Sequence, residues 1–186
     1  MSTRIVFGCV FFGILALTGY AFFVHVSHPA NKPLQLTELA PLGKRTKTAG
    51  CQARGALPDL ACTPGSIDPK VTQANIKETI CVSGYTKTVR PPVSYTSPLK
   101  KKGMAAYGFT GSPSDYEFDH QIPLELGGNP TDLANLWPEP ADPSPGFHEK
   151  DQVENYLNDE VCDGKISLHD AQLQIANDWL AVFRQL

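Results

Sequence analysis

The chain has few of the features that mark a dedicated nucleic-acid binder or a zinc protein. Its 186 residues carry 16 Lys and Arg against 19 Asp and Glu, a formal net charge of −3. That balance does not suit tight binding to a polyanion. The five cysteines include no closely spaced pair of the kind that binds zinc. There is no internal repeat, and nothing resembles a sequence-reading module such as a zinc finger or helix-turn-helix.

The N-terminus indicates export. Arg4 precedes an apolar run from Ile5 to Leu17, and Thr18-Gly19-Tyr20-Ala21 then offers small residues at the end of a cleavage site. The apolar character resumes after this site, so residues 5–26 as a whole are also long enough to span a bilayer. Residues 1–26 are therefore predicted to be a signal peptide or an N-terminal membrane anchor. The chain is expected to be secreted, periplasmic or tethered to the outer face of the membrane.

The rest of the chain divides into a linker and one domain. Residues 27–50 are rich in Pro, Lys and Thr and lack a sustained apolar period, which is typical of a linker. Residues 51–186 are enough for one domain with one hydrophobic core.

Local signals predict the elements of that domain. Ser97-Pro98 has the pattern of a helix N-cap followed by proline at the first helical position, and Ser167 starts the last helix in capping-box fashion. The full set is a short helix from Thr72 to Ile80, an extended edge segment from Tyr85 to Tyr95, a helix from Ser97 to Gly108, strands Tyr116–Gln121 and Leu133–Trp137, a helix Phe147–Cys162 and a final helix from Ser167.

The segment Asp119-His120-Gln121-Ile122-Pro123-Leu124-Glu125-Leu126-Gly127-Gly128 is the most informative part of the chain. It is followed by Asn135-Leu136-Trp137-Pro138 and by His148 at a helix start. Hydrolysis of a phosphodiester needs an activated water and a cation that neutralises the developing charge. A neutral histidine serves the first need, and a hard divalent cation held by a carboxylate and an imidazole serves the second.

This pattern, from about Tyr116 to Asn155, resembles the HNH nucleases, whose ββα-metal motif hydrolyses phosphodiester bonds. A looser likeness to exported proteins that contain this motif extends from about Thr63 to Trp179. The resemblance implies an α+β fold, with the ββα-metal (HNH) motif inside a small disulfide-stapled domain that has C-terminal helices. Adjacent strand residues point to opposite faces, so a bend at Ile122-Pro123 is expected to let Asp119 and His120 bracket a phosphate.

The resemblance also implies a role for each site residue. His120 would be the general base, and Asn135 would brace the loop that aims it. Asp119 and His148 would hold the metal ion, with Mg²⁺ expected and Mn²⁺ or Zn²⁺ as alternatives.

The second metal ligand stays open. Many family members carry a Cys-x-x-Cys knuckle before the last histidine, and the stretch from Glu139 to Gly146 replaces it here. Asp151 or Asn155, near the same helical face, could therefore replace His148. Lys150 is interpreted as a surface lysine rather than a group that stabilises the transition state. Glu117 and Glu125 are interpreted as structural or solvent-exposed.

Cysteine usage predicts two disulfide bonds. Four cysteines follow the leader, and an even count in an exported chain indicates pairing. Of the three pairings that four cysteines allow, we predict Cys51–Cys62, which closes a small loop. We also predict Cys81–Cys162, which would link the segment before the motif to the helix after it.

The expected function is metal-dependent endonuclease cleavage with little sequence preference. Basic residues precede the motif and would attract the phosphate backbone of a nucleic acid, DNA in the first instance. The alternative is a non-enzymatic exported binding or envelope-associated module that keeps the HNH scaffold. The basic residues that we expect to contact nucleic acid are Arg90, Lys100, Lys101 and Lys102.

Overall fold

The structure is a computed structural model that describes residues 42–142 and 144–186. The predicted leader, residues 1–26, lies outside the described residues, as does most of the predicted linker. Among the described residues, no helix is long and apolar enough to cross a membrane.

The described residues form a small α+β domain in which one antiparallel pair of strands lies between helical segments. Strands β1 (Tyr116–His120) and β2 (Leu136–Pro140) pair so that Tyr116 lies opposite Pro140 and His120 opposite Leu136. The elements are a 3₁₀ helix Gln73–Glu78, α1 Tyr85–Val89, α2 Val93–Tyr107, a 3₁₀ helix Pro113–Asp115, β1 Tyr116–His120, a 3₁₀ helix Leu124–Leu126, β2 Leu136–Pro140, α3 Phe147–Cys162 and α4 Leu168–Phe183.

The second strand begins later than the sequence predicted. We predicted Leu133–Trp137, whereas β2 spans Leu136–Pro140. The residues before it form a turn, because the side chain of Asp132 accepts a hydrogen bond from the backbone N–H of Ala134 and its carbonyl oxygen accepts one from the N–H of Asn135. Side chains of this type compete with strand pairing for backbone groups. Leu133 therefore lies in the turn.

The segment predicted as an extended edge is largely helical. Tyr85–Val89 forms α1, and Pro92 is the N-cap of α2, which begins at Val93 rather than at Ser97. The carbonyl oxygen of Pro92 accepts hydrogen bonds from Tyr95 and Thr96, which closes the first turn of α2. Pro98 consequently lies inside the helix rather than at its first position.

The C-terminal helices agree with the sequence prediction. α3 buries Val153, Leu157 and Val161 along one stripe. The side chain of Ser167 caps α4 by accepting a hydrogen bond from the backbone N–H of Asp170. The α4 residues Ala171, Ile175 and Trp179 are fully buried, and Phe183 is partly buried against the same core.

Two disulfide bonds, Cys51–Cys62 and Cys81–Cys162, confirm the predicted pairing. Disulfides of this kind fit an oxidising, extracellular-type environment. The end of the predicted linker belongs to the same fold, because the backbone N–H groups of Thr46 and Lys47 both donate to the carbonyl oxygen of Ala61.

We predict that the two disulfides differ in their effect on stability. They join residues 11 and 81 positions apart, and in the chain-entropy account a longer closed loop restricts the unfolded chain more. Loops of these lengths correspond to about 3 and about 4.5 kcal/mol. Urea unfolding of the two double alanine variants should therefore show the larger loss for Cys81→Ala with Cys162→Ala. An equal or reversed order would contradict the prediction.

Candidate active site

The chain bends sharply after β1, as the Ile122-Pro123 pair predicted. His120 ends the strand, and the backbone then passes through Ile122 into a 3₁₀ turn and a Gly-Gly pair. At Gly128 a Cβ atom would lie 1.8 Å from the carbonyl oxygen of Ile122, so only glycine fits there. The side chain of Gln121 fixes the bend to α4 by donating to the carbonyl oxygen of Ala176 over 2.8 Å.

Asn135 holds the loop between the two strands closed. Its side chain is fully buried and exchanges two hydrogen bonds with the backbone of Ile122, at 2.8 and 2.9 Å. Its amide also donates to the carbonyl oxygen of Asn129 over 3.0 Å, and its oxygen accepts from the N–H of Ser66 over 3.3 Å. Both N–H donors and both acceptor positions of the Asn135 side chain are thus occupied, and three of these four hydrogen bonds fix the loop that follows His120.

That loop supplies the hydrogen-bond partner of the His120 ring. Nε2 of His120 lies 3.1 Å from the carbonyl oxygen of Pro130. A carbonyl oxygen can only accept, so Nε2 carries the hydrogen and Nδ1 of the neutral ring carries the lone pair. Among the described residues, Nδ1 has no hydrogen-bond partner. Burial lowers the pKa of His120, against the opposing effect of the nearby Asp119. The ring is therefore neutral at pH 7.

Lys150 is not a surface lysine, so that interpretation of the sequence is wrong. Its side chain is 0% exposed, and Nζ lies under the end of β1. Nζ donates to Oδ2 of Asp119 over 2.5 Å, to the carbonyl oxygen of His120 over 3.0 Å and to the carboxyl group of Glu154. A second buried carboxyl group, that of Glu139, lies 3.8 Å from the same nitrogen. One ammonium group therefore lies among three carboxyl groups.

The charges in this cluster balance through protonation. Burial would raise the pKa of Asp119, but the ammonium of Lys150 outweighs it and the pKa is lowered. Burial raises the pKa of Glu154 to about 8 and raises that of Glu139 well above its usual value. The Lys150 ammonium thus favours the ionised form of Asp119, while burial favours the neutral forms of Glu139 and Glu154. One charge of each sign costs less to bury than an ammonium group or a carboxylate without a partner.

The predicted metal ligands Asp119 and His148 lie on two different elements, β1 and α3. His148 is exposed on the first turn of α3, with its ring 4.2 Å from that of Phe147. Of the alternative ligands, Asp151 is exposed, and the amide of Asn155 donates to the carbonyl oxygen of Asp151 in the same helix. Over the described ranges, no group of three or more His, Cys, Asp or Glu side chains could hold a metal ion. Because Asp119 is already bound by an ammonium group, this donor set does not fit a divalent cation.

The surroundings of the site are acidic. Glu117 and Asp151 have raised pKa values, first because of burial and then because the charge of Asp119 lies near both. Burial likewise raises the pKa of Glu125, with a contribution from Asp151. The positive charge of Arg90 acts on the same groups, which places it near the site.

The three predicted nucleic-acid-binding lysines are not equivalent. Nζ of Lys100 donates to the carbonyl oxygen of Tyr116 over 2.6 Å and so ties α2 to the start of β1. Lys101 and Lys102 are exposed.

Sequence reasoning missed the two glutamic acids of the buried cluster and the carbonyl partner of His120. The (i, i+4) spacing of Lys150 and Glu154 was a visible signal for a helical ion pair. Glu139, two residues beyond Trp137, had no such signal, since its burial depends on the register of β2. The Pro130 carbonyl is a backbone group, which no side-chain pattern reveals.

Comparison of the chain with known protein families, curated proteins and solved structures finds no match.

Asn135→Ala is predicted to lower the free energy of unfolding by about 3 kcal/mol, because it leaves buried backbone groups without partners. Asn155→Ala is the matched control: its side chain is exposed and bonds only within its own helix, so the change should stay within about 0.5 kcal/mol. Denaturant unfolding measures both. A similar decrease in the free energy of unfolding for the two variants would show that Asn135 does not stabilise the loop.

Proposed function

We propose that the chain is an exported HNH-type endonuclease that hydrolyses phosphodiester bonds of nucleic acid with little sequence preference. The observation that carries the proposal is the state of His120: a neutral ring, fixed through Nε2 by the Pro130 carbonyl, with the lone pair on Nδ1. A general base needs this combination of orientation and protonation state. The motif resemblance supplies the reaction class.

The proposed step is an in-line displacement at phosphorus. Nδ1 of His120 takes a proton from a water molecule as the water oxygen bonds to phosphorus. The bond from phosphorus to the 3′ oxygen breaks, and that oxygen takes a proton from solvent. The products are a 5′-phosphate and a 3′-hydroxyl end, and His120 returns its proton to solvent.

Asn135 acts on this step through the loop. It touches no reacting atom, but it holds the segment from Ile122 to Asn129 and thereby fixes the neighbouring Pro130 carbonyl. A base that is held in place loses less freedom when the reaction begins. Asn135 is therefore a positioning residue.

A divalent ion such as Mg²⁺ would supply charge neutralisation in a site of this family. The predicted ligands Asp119 and His148 do not fit a divalent ion in this fold. The step described above therefore uses only His120, which the Pro130 carbonyl and Asn135 hold in place.

The positively charged side chains that remain accessible would attract the substrate. Arg90, Lys101 and Lys102 are exposed, and backbone contacts by such groups carry no sequence information. They would offset the acidic surroundings of the site for an approaching phosphate chain.

His120→Ala and His120→Gln are both predicted to lower the rate of plasmid cleavage by about 10²–10⁴-fold, the usual loss of a general base. Glutamine can still donate toward Pro130, so it separates loss of the base from loss of the hydrogen bond. His169→Ala is the control, because His169 is an exposed histidine of α4 and should keep full activity.

Wild-type cleavage by a folded His120→Gln variant would exclude His120 as the base. If the wild-type chain cleaves no DNA or RNA with or without Mg²⁺, Mn²⁺ or Zn²⁺, the non-enzymatic alternative gains support instead.

Replacing Lys101 and Lys102 by glutamine is predicted to weaken binding to unrelated DNA duplexes equally. Each lost phosphate contact should lower the log–log salt slope by about 0.9. Lys165→Gln is the control, since Lys165 is paired with Glu160 and Asp163. Filter binding at several salt concentrations, with the inactive His120→Gln chain, measures this. Loss of affinity for one sequence only would contradict backbone binding.

A further inference from the structure

We propose that the cation of this active site is the ammonium group of Lys150, which takes the place of a divalent metal at Asp119 and positions His120. The inference rests on the function proposed for His120 and goes beyond it, because it assigns the positive charge of the site to a side chain.

The ammonium group of Lys150 is fully satisfied. A lysine has three N–H donors, and they go to Oδ2 of Asp119, the carbonyl oxygen of His120 and the carboxyl group of Glu154. The side chain is 0% exposed. A buried ammonium with three good partners is a built site, unlike a surface lysine that happens to lie near a carboxylate.

Its partners are the ones that a metal ion would compete for. Asp119 is the predicted ligand, and the nitrogen that binds it also binds the carbonyl oxygen of the next residue, His120. A divalent ion on Asp119 would stand beside the buried ammonium and be repelled by it. The neighbouring Glu139 and Glu154 are oriented around Nζ, so they favour the monovalent cation that is already there.

This arrangement connects α3 to the catalytic strand. Lys150 is on the first turn of α3, and through one nitrogen it holds the side chain of Asp119 and the backbone of His120. The Pro130 carbonyl fixes the ring of His120 from the other side. Lys150 is therefore a positioning residue: it touches no substrate but fixes the position of the general base, His120.

The first test is an NMR experiment on the isotope-labelled wild-type chain with millimolar Mn²⁺. Paramagnetic broadening falls steeply with distance, so Mn²⁺ bound by Asp119 would remove the backbone signals of Asp119, His120 and Lys150. The proposal predicts that these signals persist, and that the Lys150 ammonium gives a slowly exchanging signal that Mn²⁺ does not alter. Asp163, an exposed carboxylate, reports non-specific binding. Selective loss of the Asp119 and Lys150 signals would overturn the proposal.

The second test is plasmid cleavage after chelation by EDTA. The proposal predicts that the rate is retained. Loss of cleavage that Mg²⁺ restores, together with Mn²⁺ broadening at Asp119, would overturn it. If no cleavage occurs under any condition, the proposed function has failed, while the NMR result still decides whether Lys150 or a metal pairs with Asp119.

The positioning role is tested by kinetics. Lys150→Met should lower kcat about 10²-fold with KM unchanged, since small displacements of a catalytic group have effects of this size. Because that variant leaves buried carboxyl groups without their cation and can fail to fold, Glu154→Leu is the second variant. It is close in size, removes the side-chain acceptor that Nζ binds on α3, and should also lower kcat without changing KM.

Glu160→Leu, on the same helix but paired with the exposed Lys165, should change neither constant. A folded Lys150→Met chain with wild-type kcat would overturn the proposal. So would a folded Glu154→Leu chain whose kcat is indistinguishable from that of Glu160→Leu.

Discussion

The ion pair between Lys150 and Asp119 is the constraint around which the site is built. A fully buried ammonium needs a compensating charge and three acceptors, and α3 contributes one of these acceptors, Glu154. The remaining partners come from the end of β1, so the helix and the strand must meet at Asp119 and His120. The position of the histidine thus follows from the need to satisfy one lysine.

The His120 ring is held independently of this pair. Asn135 closes the loop after β1, and that loop presents the Pro130 carbonyl to Nε2 of His120. The surrounding part of the domain is stabilised by the packing of α3 and α4 and by the Cys81–Cys162 disulfide. Hydrogen bonds, packing and a disulfide therefore all help to hold His120 in place, and burial keeps its ring neutral.

Sequence patterns predicted the parts of this fold that depend on local rules. The predicted bounds of α3, Phe147–Cys162, are those of the structure, and both disulfides were predicted from the number of cysteines and their positions. The predicted start of β2 was wrong because a turn at Asp132 binds the backbone N–H groups of Ala134 and Asn135, which the longer strand would have paired. Lys150 was misassigned because its burial is set by elements distant in the chain, which residue type and spacing do not encode.

The central claim, that the fold presents a neutral His120 whose Nδ1 is free to accept a proton, is tested most directly by ¹⁵N NMR of the histidine rings across a pH titration. The account predicts that His120 titrates below the normal histidine range of about 6.5 and that its neutral form carries the hydrogen on Nε2. A His120 ring that is protonated at pH 7, or that carries its hydrogen on Nδ1, would contradict the account.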